Sequence, residues 1–259
     1  GSGIALRNSD MRLDSLIIEY NNVSTSDSLS GYGGGIEFSY SNAIMTNTII
    51  RNNTSGWGGG ILSSDSDVSI TGCEITDNRS DDKAGGIYIK RGEVIFSNVI
   101  INENKGGDAN GEGGGGLFST ASYLTFNDVQ IFDNTTTLHG GGVHLAGPLS
   151  CKFNNVLVHH NHAGLKGGGI SQSGLGCDFT NVTIANNSAP EYGGISANSY
   201  SSFNNMIVRD NEGGSSFGSA DVSYSNIEEY SDFGDTTNII DFDPLFSDVL
   251  NYDYSLQGG

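Results

Sequence analysis

Apolar and polar residues alternate along this chain with the two-residue period of a β-strand, and the alternating stretches recur in a fixed order relative to one asparagine. That Asn stands at 21, 53, 78, 104, 134, 161, 187 and 211, in steps of 32, 25, 26, 30, 27, 26 and 24 residues. Three places before it runs a β-branched column of Ile18, Ile50, Ile75, Ile101, Ile131, Val158, Ile184 and Val208. Five places before it stand Leu16, Thr48, Cys73, Val99, Val129, Val156, Val182 and Met206. Eight places before it stand Leu13, Met45, Ile70, Phe96, Phe126, Phe153, Phe179 and Phe203. These columns read as the interior, and the mostly polar residues between them as a solvated outer face.

A second anchor keeps the same period. The aliphatic residue after glycine falls at Ile4, Ile36, Ile61, Ile87, Leu117, Val143, Ile170 and Ile195, with Val222 a weaker ninth. Two independent anchors with one period predict a solenoid of about nine coils. A coil of this length, holding short strands and tight turns without a helical pattern, fits an all-β, single-stranded parallel β-helix. Its rungs stack at ~4.8 Å, so nine make a rod of roughly 40 Å. The preference for right-handed parallel crossovers points to the right-handed form.

The asparagines then have a structural reading. An amide stacked on its counterpart one coil away both donates and accepts along the axis, satisfying turn groups that burial would otherwise leave without partners. A second polar column, six places earlier, holds Asn47, Asn98, Asp128, Asn155, Asn181 and Asn205. The glycines suit a corner needing positive φ or close backbone approach, and no GxxxxGK[ST] follows them to make a phosphate loop.

The alternation of "GGGI" with "IFDN", "VHHN", "IANN" and "VRDN" resembles the GGA[ILV] and FxxN repeats of chlamydial polymorphic outer-membrane proteins, which are autotransporter adhesins built on right-handed β-helices. It departs from them in using Ile or Val where they favour Phe. The phrases "DVSYSNIEEY", "NIIDFDPLFSD" and "YDYSLQ" are similar to the C-terminal end of secreted bacterial right-handed β-helix repeat proteins. The resemblance implies a repeat domain over 3–230, a DPLF-type cap over 231–259 packed on the last coil, and a secreted or cell-surface location. It leaves activity open, because lyases, hydrolases, epimerases and adhesins share the fold.

Composition removes other classes. A formal charge of -19, from 11 basic and 30 acidic residues, argues against nucleic acid or an anionic membrane surface as partner. No apolar stretch approaches the length of a membrane span, so no membrane insertion is expected of this segment. The start at a coil anchor and the abrupt "LQGG" end suggest an excised segment of a longer chain, and a monomer is expected.

Function must come from what varies between coils. Nearly all length variation lies between the Asn and the glycines, where typical coils need eight or nine residues; Asn21 to Ile36 takes 15 and Asn104 to Leu117 takes 13. Two columns border that edge. Four places before the aliphatic anchor stand Tyr32, Trp57, Lys83, Gly113, His139, Lys166 and Glu191. Immediately before the Asn stand Tyr20, Asn52, Asp77, Glu103, Asp133, His160, Asn186 and Asp210. An aromatic face beside polar groups suits a sugar ring with apolar C–H faces. The leading expectation is therefore non-catalytic binding or adhesion to a glycan or protein surface through Tyr32, Trp57, His139, Lys166 and His160, with no cofactor required.

The runner-up is a polysaccharide lyase or other carbohydrate-active enzyme. In it Ca²⁺ held by Asp77, Glu103 and Asp133 neutralises a uronate, and Lys83 or Lys166 abstracts a proton. The simpler reading has the three carboxylates splayed into water. A third reading is a passive spacer, and ice binding ranks lower because the threonines form no regular outward ladder. All five histidines, His139, His144, His159, His160 and His162, cluster within 139–162 and read as a solvated patch rather than a zinc site. Cys73 belongs to an interior column. Cys151 and Cys177, each ten before its Asn, should stack on neighbouring coils, as a disulfide or as two buried thiols.

Overall fold

A computed structural model of the chain describes residues 1–23, 33–107, 113–198, 200–218, 220–228, 236–237 and 240–256. Each alternating stretch forms a strand that pairs in parallel with its equivalent one turn away. Ile131 pairs with Val158 and Val158 with Ile184, so the β-branched column runs up the inside of one tube. The fold is a right-handed parallel β-solenoid, without an α-helix among the described residues. It has about six turns, slightly fewer than the nine expected. The aliphatic anchor marks six windings in continuous register between Ile36 and Ile195. Ile4 pairs with Ile36 in the same register, whereas Val222, read as a ninth anchor, pairs with Phe203 and so belongs to another column.

The course of a turn is set by residues in the left-handed conformation. In the winding that starts at Ile87, the strand Ile87–Asn102 bends at Arg91 and Asn98 and stops at Glu103, with φ of 58°, 53° and 55°. Asn104 follows, then the short strand Lys105–Gly106. The corner before the Asn column is left-handed in every turn, at Tyr20, Asn52, Asp77, Glu103, Asp133, His160, Asn186 and Asp210, with φ between 52° and 57°. Asn, Asp and His tolerate this region better than most residues. That backbone demand explains most of the column first read as a carboxylate ladder. The second polar column is likewise a left-handed corner, at Asn47, Asn98, Asp128, Asn155, Asn181 and Asn205. Two of its amides also bond along the axis, Asn155 Nδ2 to Asp128 Oδ1 and Asn205 Nδ2 to Asn181 Oδ1, the latter at 2.7 Å.

Inside the tube the stacking is regular. Phe96, Phe126, Phe153, Phe179 and Phe203 are buried, with successive ring centroids 4.8, 4.4, 4.7 and 4.8 Å apart. The asparagine ladder is continuous from Asn21 to Asn211, each Nδ2 donating to the next Oδ1 at 2.9–3.1 Å. Each Oδ1 also accepts the backbone amide of the preceding Asn, and each Nδ2 from Asn53 onward reaches a carbonyl of the turn before, as Asn134 does to Ile101 at 2.8 Å. Glycine beside the ladder is steric: a β-carbon on Gly142 would lie 2.7 Å from the Gly169 carbonyl oxygen and 3.1 Å from the Asn161 side chain.

Cys151 and Cys177 are register partners and form a disulfide, with Cα atoms 4.7 Å apart, so the two-thiol alternative does not hold. Cys73 is a buried free thiol. Beyond the last winding, Ile240 exchanges backbone bonds with Ser225 and Ile227. The chain then makes a hairpin of Phe246–Asp248 with Asp253–Leu256, which lies against the flank of the tube, Phe246 and Tyr254 packing with Ala185, Leu157 and Ile207.

Candidate functional site

After each ladder Asn the chain runs outward in a short strand, and Thr54–Trp57, Arg79–Lys83, Lys105–Gly106, Thr135–Thr136 and His162–Ala163 form a separate five-stranded parallel sheet. This sheet carries the edge singled out by spacing. Trp57 is the register partner of Lys83, and His139 pairs with Lys166, which pairs with Glu191. The file is therefore real from Trp57 to Glu191. Tyr32 lies outside the described residues, as do residues 24–31 of the first long insertion and 108–112 of the second.

At the Trp57 end the parts interlock. Trp57 is half-buried, its Nε1 donates to Asp82 Oδ2 at 2.6 Å, and its ring meets Tyr88 edge-on at 5.7 Å. Lys83 Nζ lies 5.2 Å from the Trp57 ring, 5.7 Å from Tyr88 and 5.6 Å from Phe118. A cation over several rings is held by their quadrupoles, which fixes the lysine and the indole together. Further along, Lys166 Nζ sits 5.4 Å over Tyr192, and His139 meets His144 edge-on at 5.6 Å. His144 Nδ1 bonds the Gly113 carbonyl at 3.1 Å. Burial first, then Lys166, lowers the pKa of His139, with Glu191 opposing, so this imidazole is neutral at physiological pH.

Beneath the edge lies a file that sequence reasoning missed. Leu62, Tyr88, Phe118 and His144 stand one place after the aliphatic anchor, on the outward side of their strands, yet they are buried. Tyr88 and Phe118 stack at 5.3 Å, and Phe118 meets His144 at 5.0 Å. The outer face is thus not solvated here as expected, because the short sheet covers it. The available signal was the run of large side chains, Leu, Tyr, Phe and His, at an outward position.

Asp77, Glu103 and Asp133 do occupy successive rungs, linked by backbone bonds from Asp77 to Asn102 and from Glu103 to Phe132. The Glu103 carboxyl is pushed above its usual range, by burial first and then by Asp77 and Asp133. Among the described residues no group of three or more His, Cys, Asp or Glu side chains is placed to hold a metal ion. Because the folded state holds the Glu103 proton more tightly than the unfolded chain, stability falls as pH rises through the carboxylate range. Glu103→Gln is therefore expected to raise the melting midpoint at pH 7, by on the order of a degree for so exposed a group. Thermal scans at pH 7 and pH 3.5 check this, since the gain should vanish at the lower pH.

The lysines proposed as bases do not meet the carboxylates in one site. Lys83 is held over three rings, and Lys166 lies three rungs further along the file, ~14 Å away at the spacing of stacked strands. Among the described residues one serine–histidine hydrogen bond is found, His162 Nδ1 with Ser188 Oγ at 2.8 Å. It is exposed, and among the described residues no carboxylate orients the imidazole, so it lacks the third member of a catalytic triad.

The histidines separate into distinct surroundings. His139 and His144 belong to the edge, and His162 faces solvent. His159, expected in a solvated patch, is 1% exposed and stacks on Phe132 at 4.9 Å with planes 4° apart. Burial first, then His160, lowers its pKa from 6.5 to about 3. His160, expected to join the ligand-binding edge, instead touches His159 and the C-terminal hairpin: its ring lies 4.7 Å from that of Tyr252, and its Nδ1 lies 3.3 Å from the Tyr254 hydroxyl. Its left-handed corner turns it toward that flank.

Comparison with known proteins bears on the fold alone. The model of the family described as right handed beta helix region matches residues 1–156. Neither the curated proteins nor the solved structures contain a match to the chain.

Proposed function

This chain belongs to the right handed beta helix family, and from that premise we propose that it is a non-catalytic binding protein of the cell surface or the secreted fraction, taking a glycan chain along the Trp57–Tyr192 edge. One observation carries this reading: the file holds an aromatic–lysine pair at each end, Trp57 with Lys83 and Lys166 with Tyr192, with His139 between them. The two pairs lie on one straight edge, separated by four rungs, or ~19 Å. A flat, extended surface of this kind suits an extended polymer better than a compact small molecule, which needs enclosure.

The half-buried indole, locked by Asp82 and Lys83, offers a rigid platform for the C–H face of a pyranose. Polar neighbours supply hydrogen bonds to hydroxyls. Asp82 and Glu191, on a chain of net charge -19, favour neutral sugars over polyanions. The likeness of the repeats to those of chlamydial polymorphic outer-membrane proteins supports an adhesive role at the surface.

Trp57→Ala is expected to weaken glycan binding at least tenfold, since a stacked aromatic contributes on the order of 1 kcal/mol beyond the area it buries. A glycan array followed by titration calorimetry on the best ligand measures it. An array without any ligand, or equal affinity in the variant, would sink the assignment of this face.

A further inference from the structure

The C-terminal hairpin is joined to the flank of the tube by contacts whose geometry depends on protons. Tyr252 lies over His159 and His160, with ring centroids 5.0 and 4.7 Å apart, and also meets Phe132 at 5.8 Å. Tyr254 packs on His159 at 4.9 Å and on Phe246 at 5.0 Å, and its hydroxyl reaches Asn186 Nδ2 at 2.9 Å and His160 Nδ1 at 3.3 Å. Beneath them the Nδ1 atoms of His159 and His160 are 3.0 Å apart. Such a contact needs one N–H donor and one bare lone pair, so the two Nδ1 atoms cannot both carry a proton. A further proton on His159 would place a charge on a ring that is 1% exposed, stacked on Phe132 and covered by Tyr252 and Tyr254.

We propose that residues 246–256 form an acid-released latch, closed over His159 and His160 near neutral pH and opened on acidification, when it uncovers a strip of the flank made of Phe132, Leu157, His159, Ala185 and Ile207. The strip is mostly aromatic and aliphatic, so its exposure changes what the flank can bind. This inference does not depend on the glycan reading, whose edge is built from other residues.

The surroundings of His159 favour release. Phe132 covers one face of the ring and His160 lies across its edge, 5.2 Å away. In the turn before stands Asp133, which is engaged with the Tyr252 hydroxyl. In the turns after stand Ala185 with Asn186, then Arg209 with Asp210. Arg209 pairs with Asp241, and Asp210 lies near Glu228 and Asp243. From the hairpin come Tyr252, Asp253 and Tyr254, and Asp253 is turned to the Ser255 hydroxyl and amide. The carboxylates near His159 thus already have partners or lie turns away, leaving little to stabilise an imidazolium there.

The sign follows from linkage. With the pKa of His159 at about 3 when closed and 6.5 when free, closure is undisturbed above pH 6.5 and weakens steadily as pH falls toward 3. At pH 5 the closing constant should be about thirty-fold smaller than at pH 8.

Hydrogen exchange of the intact protein from pH 8 to pH 4.5, corrected for intrinsic rates, tests this. Protection of amides in 246–256 should fall at least tenfold by pH 5, while those of 129–131 and 156–158 stay unchanged. In His159→Phe, which keeps the stack on Phe132, hairpin protection should no longer depend on pH. His159→Gln guards against a misfit phenylalanine and should also lose the dependence. Constant hairpin protection in the unsubstituted protein, or an equal fall in both variants, would overturn the latch.

Discussion

Asn134→Leu is expected to destabilise the middle of the tube by about 4 kcal/mol, the range seen when a buried polar network is broken without leaving partners for its remaining groups. Asn134 is fully buried. Its Nδ2 donates to the carbonyls of Ile101 and Phe132 and to Asn161 Oδ1, at 2.8, 3.0 and 3.0 Å. Its Oδ1 accepts both the backbone amide and the side-chain amide of Asn104, each at 3.0 Å. Leucine has the same branching and no fewer heavy atoms, so the loss does not come from a void. It strands the Asn104 backbone amide, takes the acceptor from one Asn104 side-chain N–H and one donor from each of the Ile101 and Phe132 carbonyls, and leaves the Asn161 oxygen only the backbone amide of residue 134. Because stacked turns interact mainly with their neighbours, global melting blurs such a lesion. Exchange of the amides at 104, 134 and 161 resolves it, and unchanged protection there would refute the cooperative role given to the ladder.

Phe126→Ala should cost about 3–5 kcal/mol, as for other fully enclosed aromatic side chains. Its ring lies 4.8 Å from Phe96 and 4.4 Å from Phe153, with no exposure on either face. The backbone around it is fixed by pairing on both sides, so the cavity cannot collapse far. Urea unfolding should show a lower midpoint with little change of slope. The ladder and the phenylalanine stack thus test separate supports of one tube, the first polar and directional, the second apolar and dependent on volume.

Much of this architecture is legible in the sequence because in-register parallel stacking brings each position of one turn beside the same position of the next. Ile131, Val158 and Ile184 could be assigned to one interior column by counting back from Asn, and the Asn ladder followed from the same count. Backbone conformation was less visible. Asp77, Glu103 and Asp133 looked like a file of charge, whereas their shared property is a left-handed φ, which Asn52, His160 and Asn186 satisfy without a carboxylate. Strand parity separates the two sides of the tube wall but does not report what covers the outer one, so Tyr88 and Phe118 were missed. For the site, spacing found the Trp57–Glu191 file, but it could not bring Tyr252 and Tyr254 onto His159 and His160. That contact joins residues about ninety positions apart that belong to no common period.

The covalent bond between Cys151 and Cys177 matters most when the rod is pulled. Parallel turns joined only by hydrogen bonds can be peeled away one at a time from either end, each yielding at a modest force. A link across two adjacent turns arrests that unzipping, because the strands on either side of it cannot part until the sulfur bridge is reduced. A molecule anchored at one end and loaded at the other would therefore lose outer windings first and keep the stapled ones, which lie beside the Lys166 end of the edge.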